Sequence, residues 1–91
     1  MNKKELVKEV SARSGVKKKD TNAVINSFID TVFKAMEQDE SITIVGFGKF
    51  ETRTRKERNA RNPQTGETML IPATKVPYFK AGKNLREVTT I

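Results

Sequence analysis

RTRKERNARNPQTGETMLIPATK, residues Arg53 to Lys75, is the stretch on which the reading of this chain turns. It resolves into two extended segments that meet at Asn62-Pro63-Gln64-Thr65-Gly66, a cluster of turn formers. The outgoing segment carries Arg53, Arg55, Lys56, Arg58 and Arg61 against one acid, Glu57, and has no large apolar residue to bury. The return segment places Met69, Leu70 and Ile71 before Pro72. Proline cannot donate to a sheet ladder and belongs in an edge or ribbon. These features predict a basic two-stranded arm reaching about 30 Å from a small body, at roughly 3.3 Å per strand residue. Wrapping a polyanion is the first use for such a ribbon.

The remainder of the chain is small. Of 91 residues, 68 lie outside the arm, and cysteine and histidine are both absent. No disulfide can staple the body, and the usual zinc ligands and catalytic imidazoles or thiols are missing. Neither a metal nor a cofactor is expected, and no catalytic residue is assigned. Dimerisation is the remaining way to enlarge the core. No apolar run approaches the length of a membrane span, so a cytoplasmic protein without membrane association is expected.

Net charge is +7 and is unevenly placed. Residues 1–45 hold eight Lys or Arg against seven Asp or Glu, whereas residues 46–91 hold ten against four. Positive charge gathered on one half, on a projection without a core, is the footprint of a nucleic-acid site. A solvated basic face is the plainer reading, but it does not require the charges to sit there.

Away from the arm, Asn2 with Glu5 three positions later has the layout of a capping box. Leu6, Val7 and Val10 follow at helical spacing, and Gly15 suits a left-handed cap. A second helix should start near Lys18, with Lys17 a poor cap and apolar pairs Val24/Ile25, Phe28/Ile29 and Val32/Phe33. A helix-turn-helix reading is disfavoured, because Asn22, Asn26, Asp30 and Thr31 give the second helix no basic recognition face. Ser41 to Val45 alternates as a strand, Gly46-Phe47-Gly48 turns, and Lys49 to Thr52 opens the strand that runs into the arm. Val76 to Phe79 re-enters the body, and a short helix follows Lys83. A dimer interface is expected on Phe28, Ile29 and Val32 of the second helix and on Ile44, Phe47, Phe50 and Phe79 of the sheet.

Gly46-Phe47-Gly48-Lys49-Phe50, then Arg55, Arg58, Ala60 and Arg61-Asn62-Pro63-Gln64-Thr65-Gly66, resemble the signature of the bacterial histone-like DNA-binding family of HU and integration host factor. Ile71-Pro72-Ala73 and Phe79-Lys80-Ala81-Gly82-Lys83 extend the resemblance over the whole chain. It implies one α+β domain: a helical base over residues 1–38, a three-stranded antiparallel sheet over 41–52 and 76–82, an arm over 53–75 and a C-terminal helix over 83–89. It also implies an intertwined homodimer whose arms follow the minor groove of double-stranded DNA, with Pro63 wedged between base pairs. HU and integration host factor are the general examples of such bending. Taken alone, Pro63 reads as an ordinary turn proline, and it is the charged arm and the resemblance that make it a wedge.

The residues assigned to DNA are Arg53, Arg55, Lys56, Arg58, Arg61, Asn62 and Pro63 on the arm. Lys75, Lys80, Lys83 and Arg86 near its base, then Lys3 and Lys18 on the flank, are assigned to outer phosphates. Strict alternation puts Arg53, Arg55 and Arg61 on one face and Lys56 and Arg58 on the other, unless a bulge shifts the register. With few base-edge readers, bent, nicked or flexible DNA should be preferred over a particular sequence. The expected function is architectural, in the nucleoid, with site-specific bending as the alternative. A single-strand binder would need exposed aromatics on the arm, which has none, and no small-molecule pocket or enzyme motif is evident.

Overall fold

The computed structural model describes residues 1–90, and its elements follow the periodicities of the sequence closely. The chain divides into two compact units, one over Met1–Lys34 and one from Ala35 onward.

The first unit is a helical hairpin. Helix α1 spans Lys3–Ser14; Glu5 N–H donates to the Asn2 side-chain oxygen at 2.9 Å, and Gly15 at φ +76° closes the other end on the Ser11 carbonyl. Helix α2, Lys18–Glu37, starts without a side-chain cap at Lys17; Thr21 N–H reaches the Lys17 carbonyl at 2.8 Å. The connection is held from both sides instead. Ser11 Oγ and the almost fully buried Thr21 Oγ1 both donate to the Val16 carbonyl, at 2.6 and 3.3 Å. Val7 and Thr21 are the buried side chains here, while Val24, Phe28 and Phe33 stay exposed.

The end of α2 opens the second unit. Glu40 N–H bonds the Ala35 carbonyl and Asp39 N–H bonds the Met36 carbonyl, the two bonds of a Schellman cap. Asp39 holds the left-handed position at φ +57°, where glycine is usual. Strand β1 covers Ile42–Ile44, shorter than the alternation of Ser41 to Val45 implies, because Val45 joins Gly46 and Phe47 in the turn. Gly46 takes φ +83° there. Gly48 opens β2, Gly48–Arg55, and a methyl at this position would run into the Phe79 ring.

Strand β2 lies between β1 and β5, Thr74–Ala81, in an antiparallel sheet, and α3 spans Lys83–Thr89. Strands β3, Arg58–Arg61, and β4, Thr68–Ile71, form a two-stranded ribbon of their own. The β2–β5 ladder ends at Arg55 opposite Thr74, and the β3–β4 ladder resumes at Arg58 opposite Ile71. Two residues are skipped on each side, Lys56-Glu57 and Pro72-Ala73, so the register carries through the gap without a net bulge. Pro72, which has no N–H to give, sits in that gap. The three-stranded body ladder thus reaches three pairs beyond Thr52 and Pro77, into the stretch assigned to the arm.

Phe79 packs against Phe47 and Phe50, with ring centroids at 5.4 and 4.8 Å. Even so, no large side chain is fully buried among the described residues. Phe28, Ile44, Phe47 and Phe79 stay between 36% and 45% exposed. These belong to the set expected at an interface, and a chain that buries so little holds half of a core. The fold is that of an α+β chain completed as an intertwined dimer.

Two outcomes follow. Burying a Phe side chain contributes about 1.5–3 kcal/mol, so the thermal midpoint should rise with protein concentration, and sedimentation at micromolar concentration should give the dimer mass. A folded monomer in that experiment would contradict the interface. In the free protein, amides of the β3–β4 ribbon should exchange well before those of β2 and β5, since a lone two-stranded ribbon is marginal in water. Equal protection in both ladders would contradict this.

Candidate nucleic-acid interface

The ribbon tip is built by its own backbone and side chains. Asn62 N–H donates to the Glu67 carbonyl at 2.8 Å, and Gly66 N–H, at φ +73°, donates to the Asn62 carbonyl at 2.7 Å. Asn62 Oδ1 accepts from Gln64 N–H at 2.9 Å. The amide N–H₂ of Asn62 makes no hydrogen bond among the described residues. Pro63 is exposed at the apex.

The arm cations divide by what they touch. Arg55, Lys56, Arg58 and Arg61 are exposed and enter no ion pair among the described residues. Arg53 is already engaged: its guanidinium bonds Glu51 at 3.2 Å and lies 3.5 Å over the centre of the Tyr78 ring. Directly paired residues share a sheet face, so Arg53, Arg55, Glu51 and Tyr78 lie on one side of the β2–β5 ladder. Thr52, Thr54 and Lys75, with Phe50 and Phe79, lie on the other.

Lys75 is therefore on the face opposite Arg53. Its ammonium reaches Asp39 Oδ1 at 3.1 Å and the Glu37 carbonyl at 3.2 Å, and Thr52 Oγ1 donates to the same Asp39 oxygen at 3.0 Å. The Lys75 hydrogen bond, then that of Thr52, holds the Asp39 carboxyl below its usual range against a small desolvation effect. For Glu51, partial burial opposes ionisation, but Arg53 and Lys49 outweigh it and its pKa is also lowered. Lys49 stands 3.5 Å from Glu51. Near the arm base, Lys80 is exposed and pairs across the ladder with Lys49, while Lys83 faces Glu87 at 3.9 Å one turn along α3. Arg86, on α3, is exposed.

The flank holds more than the sequence reading assigned. Lys3 and Lys18 line an open concavity of about 730 Å³ together with Lys4, Lys8 and Lys19, and with Glu5, Val7 and Asn22. The signal was present as the Lys17-Lys18-Lys19 run and the spacing of Lys4 and Lys8, which is one helical turn. Among the described residues no group of His, Cys, Asp or Glu could hold a metal ion, and no helix is long and apolar enough to cross a membrane.

What this arrangement offers is a row of guanidinium groups, in no ion pair among the described residues, that leads to a ribbon tip with a rigid apolar residue at its end. The family model described as bacterial DNA-binding protein matches residues 1–90. DNA-binding protein HU of Nostoc is 49% identical over 87 residues, which cover 96% of this chain and 93% of that protein. DNA-binding protein HU-1 of Halalkalibacterium halodurans is 47% identical, covering 96% and 97%. Among solved structures, the cocrystal of Anabaena HU with DNA aligns with a TM-score of 0.88 at 48% identity, over 99% of this chain and 98% of that one. HU from Thermotoga maritima aligns at 0.70 and 32% identity, over 99% and 100%. Agreement of this extent shows that the chain belongs to the bacterial DNA-binding protein family, an architectural protein of the HU type rather than an enzyme.

Proposed function

We propose that the dimer wraps, bends and compacts double-stranded DNA with little regard to sequence, its two arms lying in the minor groove and Pro63 wedged into a base step. The observation that carries this reading is the run of exposed cations Arg55, Lys56, Arg58 and Arg61, in no ion pair among the described residues, that leads from the end of β2 to a ribbon tip carrying exposed Pro63. The likeness to a relative solved together with DNA supports it. In functional terms the residues from Arg53 to Lys75 act as the arm, and the helices and three-stranded sheet as its base.

Proline suits a wedge because it is stiff, apolar and brings no N–H that would go unsatisfied between bases. Asn62, through its amide N–H₂, and Arg61 reach minor-groove acceptors, which separate A·T from G·C only coarsely. Arg55, Lys56 and Arg58 neutralise phosphates or line the groove, and Arg53 joins them on the face where Glu51 and Tyr78 already orient it. Lys80, Lys83 and Arg86, and then Lys3 with Lys18, hold the DNA that leaves the arms. The lysines Lys4, Lys8 and Lys19 lengthen that flank.

Magnitudes are consistent with a bender. Smooth bending of a 20–30 base-pair site by 40–90° costs on the order of 1–6 kcal/mol. A dimer carries twice the chain's +7 charge, and counterion release from that many contacts offsets the cost. Because few groups read base edges, DNA that is already bent, nicked or flexible is the preferred partner. A cytoplasmic, nucleoid-associated location follows from this role.

Pro63→Ala tests the wedge. Energy transfer between labelled DNA ends should report a smaller bend, while the salt slope of affinity, about −0.9 per neutralised phosphate, should barely change. Arg55→Ala and Arg58→Ala should weaken binding to all sequences and flatten the slope. If Pro63→Ala keeps the full bend, Pro63 is a turn residue only and the wedge is wrong. Footprints confined to defined sites would instead favour the site-specific alternative.

A further inference from the structure

Lys75 and Asp39 have a geometry that neither DNA contact nor ordinary surface solvation explains. Asp39 places a carboxylate at the base of an arm meant for a polyanion, and it does so from a strained backbone position, φ +57°. Such a conformation costs a residue with a side chain free energy that glycine avoids. The carboxylate oxygen accepts from Thr52 on β2 and from Lys75 on β5, and Lys75 also donates to the Glu37 carbonyl in the last turn of α2. Two of the three ammonium hydrogens are used, and a cation at a helix C-terminus is favoured by the helix dipole.

The position of this cluster gives it meaning. Thr52 and Lys75 share one face of the β2–β5 ladder, and Lys75 lies one residue from its last pair, Arg55 with Thr74. Immediately beyond, the ladder breaks at Lys56-Glu57 and Pro72-Ala73. Both strands of the arm are thus fastened to the end of α2 just before the point where the ladder is interrupted. A single exposed ion pair is weak, but here one carboxylate oxygen joins two strands, and the cation it holds reaches a third element.

We infer that Asp39, Lys75 and Thr52 form a clamp that fixes the direction in which the arm leaves the sheet, so that Asp39 and Lys75 are positioning residues for bending and Lys75 is not a phosphate ligand. The clamp sets how the arm is aimed at the groove, and hence the bend, without adding to the charge that DNA meets. This rests on the DNA-bending reading for its consequence, while the clamp itself exists in the free protein.

The test uses the full-length dimer with Lys75→Ala, Asp39→Ala and both together, and Lys75→Arg as the conservative variant. In the free protein, amide exchange at residues 52–55 and 74–76 should quicken by about 1.5- to fivefold in each single variant, the range typical of exposed ion pairs. The double variant should be no faster than either. On linear DNA, both single variants should lower energy transfer between the labelled ends to the same degree, with the salt slope unchanged and the bend restored by Lys75→Arg. Should Asp39→Ala fail to fold, Asp39→Asn takes its place, since Asn tolerates the left-handed region and lacks the charge.

Unchanged exchange at the arm base in the single variants would show that no clamp exists. A slope reduced by about 1.8 in Lys75→Ala, one phosphate for each of two copies at 0.9, together with tighter binding by Asp39→Ala, would make Lys75 a phosphate ligand and overturn the inference. Failure of the unmodified protein to bind DNA in a salt-dependent way would instead defeat the DNA-bending reading, with the exchange data still deciding on the clamp.

Discussion

Five cations and one acid within nine residues leave the outgoing strand of the arm with nothing to bury and every reason to stay solvated. That constraint governs the rest of the structure. Residues 53–75 cannot contribute to a core, so the hydrophobic requirement falls on the remaining 68. Those residues lack cysteine and histidine, and a single copy fully buries none of their large side chains among the described residues. Pairing with a second copy follows from the same charge distribution that makes the arm useful. A second copy also doubles the arms, so one arrangement serves both stability and the proposed grip on a duplex.

The arm is fastened at its root and its ladder is interrupted beyond it. Pro72 and Ala73, opposite Lys56 and Glu57, interrupt the ladder at a defined place, and the equal count on both sides keeps the strands in register across it. A one-residue slip would have moved every side chain of the ribbon to the other face. Below the gap, side chains on both faces fasten the sheet: Arg53 with Glu51 and Tyr78 on one, Lys75 with Thr52 and Asp39 on the other. Arg55 closes the body ladder below the gap, and Lys56 within it and Arg58 and Arg61 beyond it continue the charge without ion-pair partners among the described residues. The tip is again fixed, by the bonds that Asn62 makes to Gln64, Gly66 and Glu67.

The chain's positive charges are therefore not equivalent. Lys49, Arg53, Lys75 and Lys83 face acids, and part of their charge is spent locally. Exposed cations with no acid in reach retain their full field for a ligand. Steering of a polyanion depends on that unspent remainder, which lies chiefly on the ribbon and along the lysine-lined concavity of the helical hairpin.

Much of this was legible in the residues. Helix spacing, the Asn2 and Gly15 caps, the alternation after Glu40, the turn at Asn62 to Gly66 and the uncoreable charge of the arm are local properties, and local chemistry sets them. The family signature added the pairing of two chains and the DNA. What the sequence left open is what distant residues do to one another. Strict alternation gave Arg53 a face, but only the register of β2 with β5 put Tyr78 beneath it and placed Lys75 on the opposite side. Lys75 read as one more free cation because the acid that holds it, Asp39, is 36 positions away and is brought near only by the Schellman turn at the end of α2. Periodicity decides which residues form an element. Pairs one helical turn apart, such as Lys83 and Glu87, show in the spacing, but which distant charges meet is decided by the tertiary fold, because such an ion pair depends on distance in space alone.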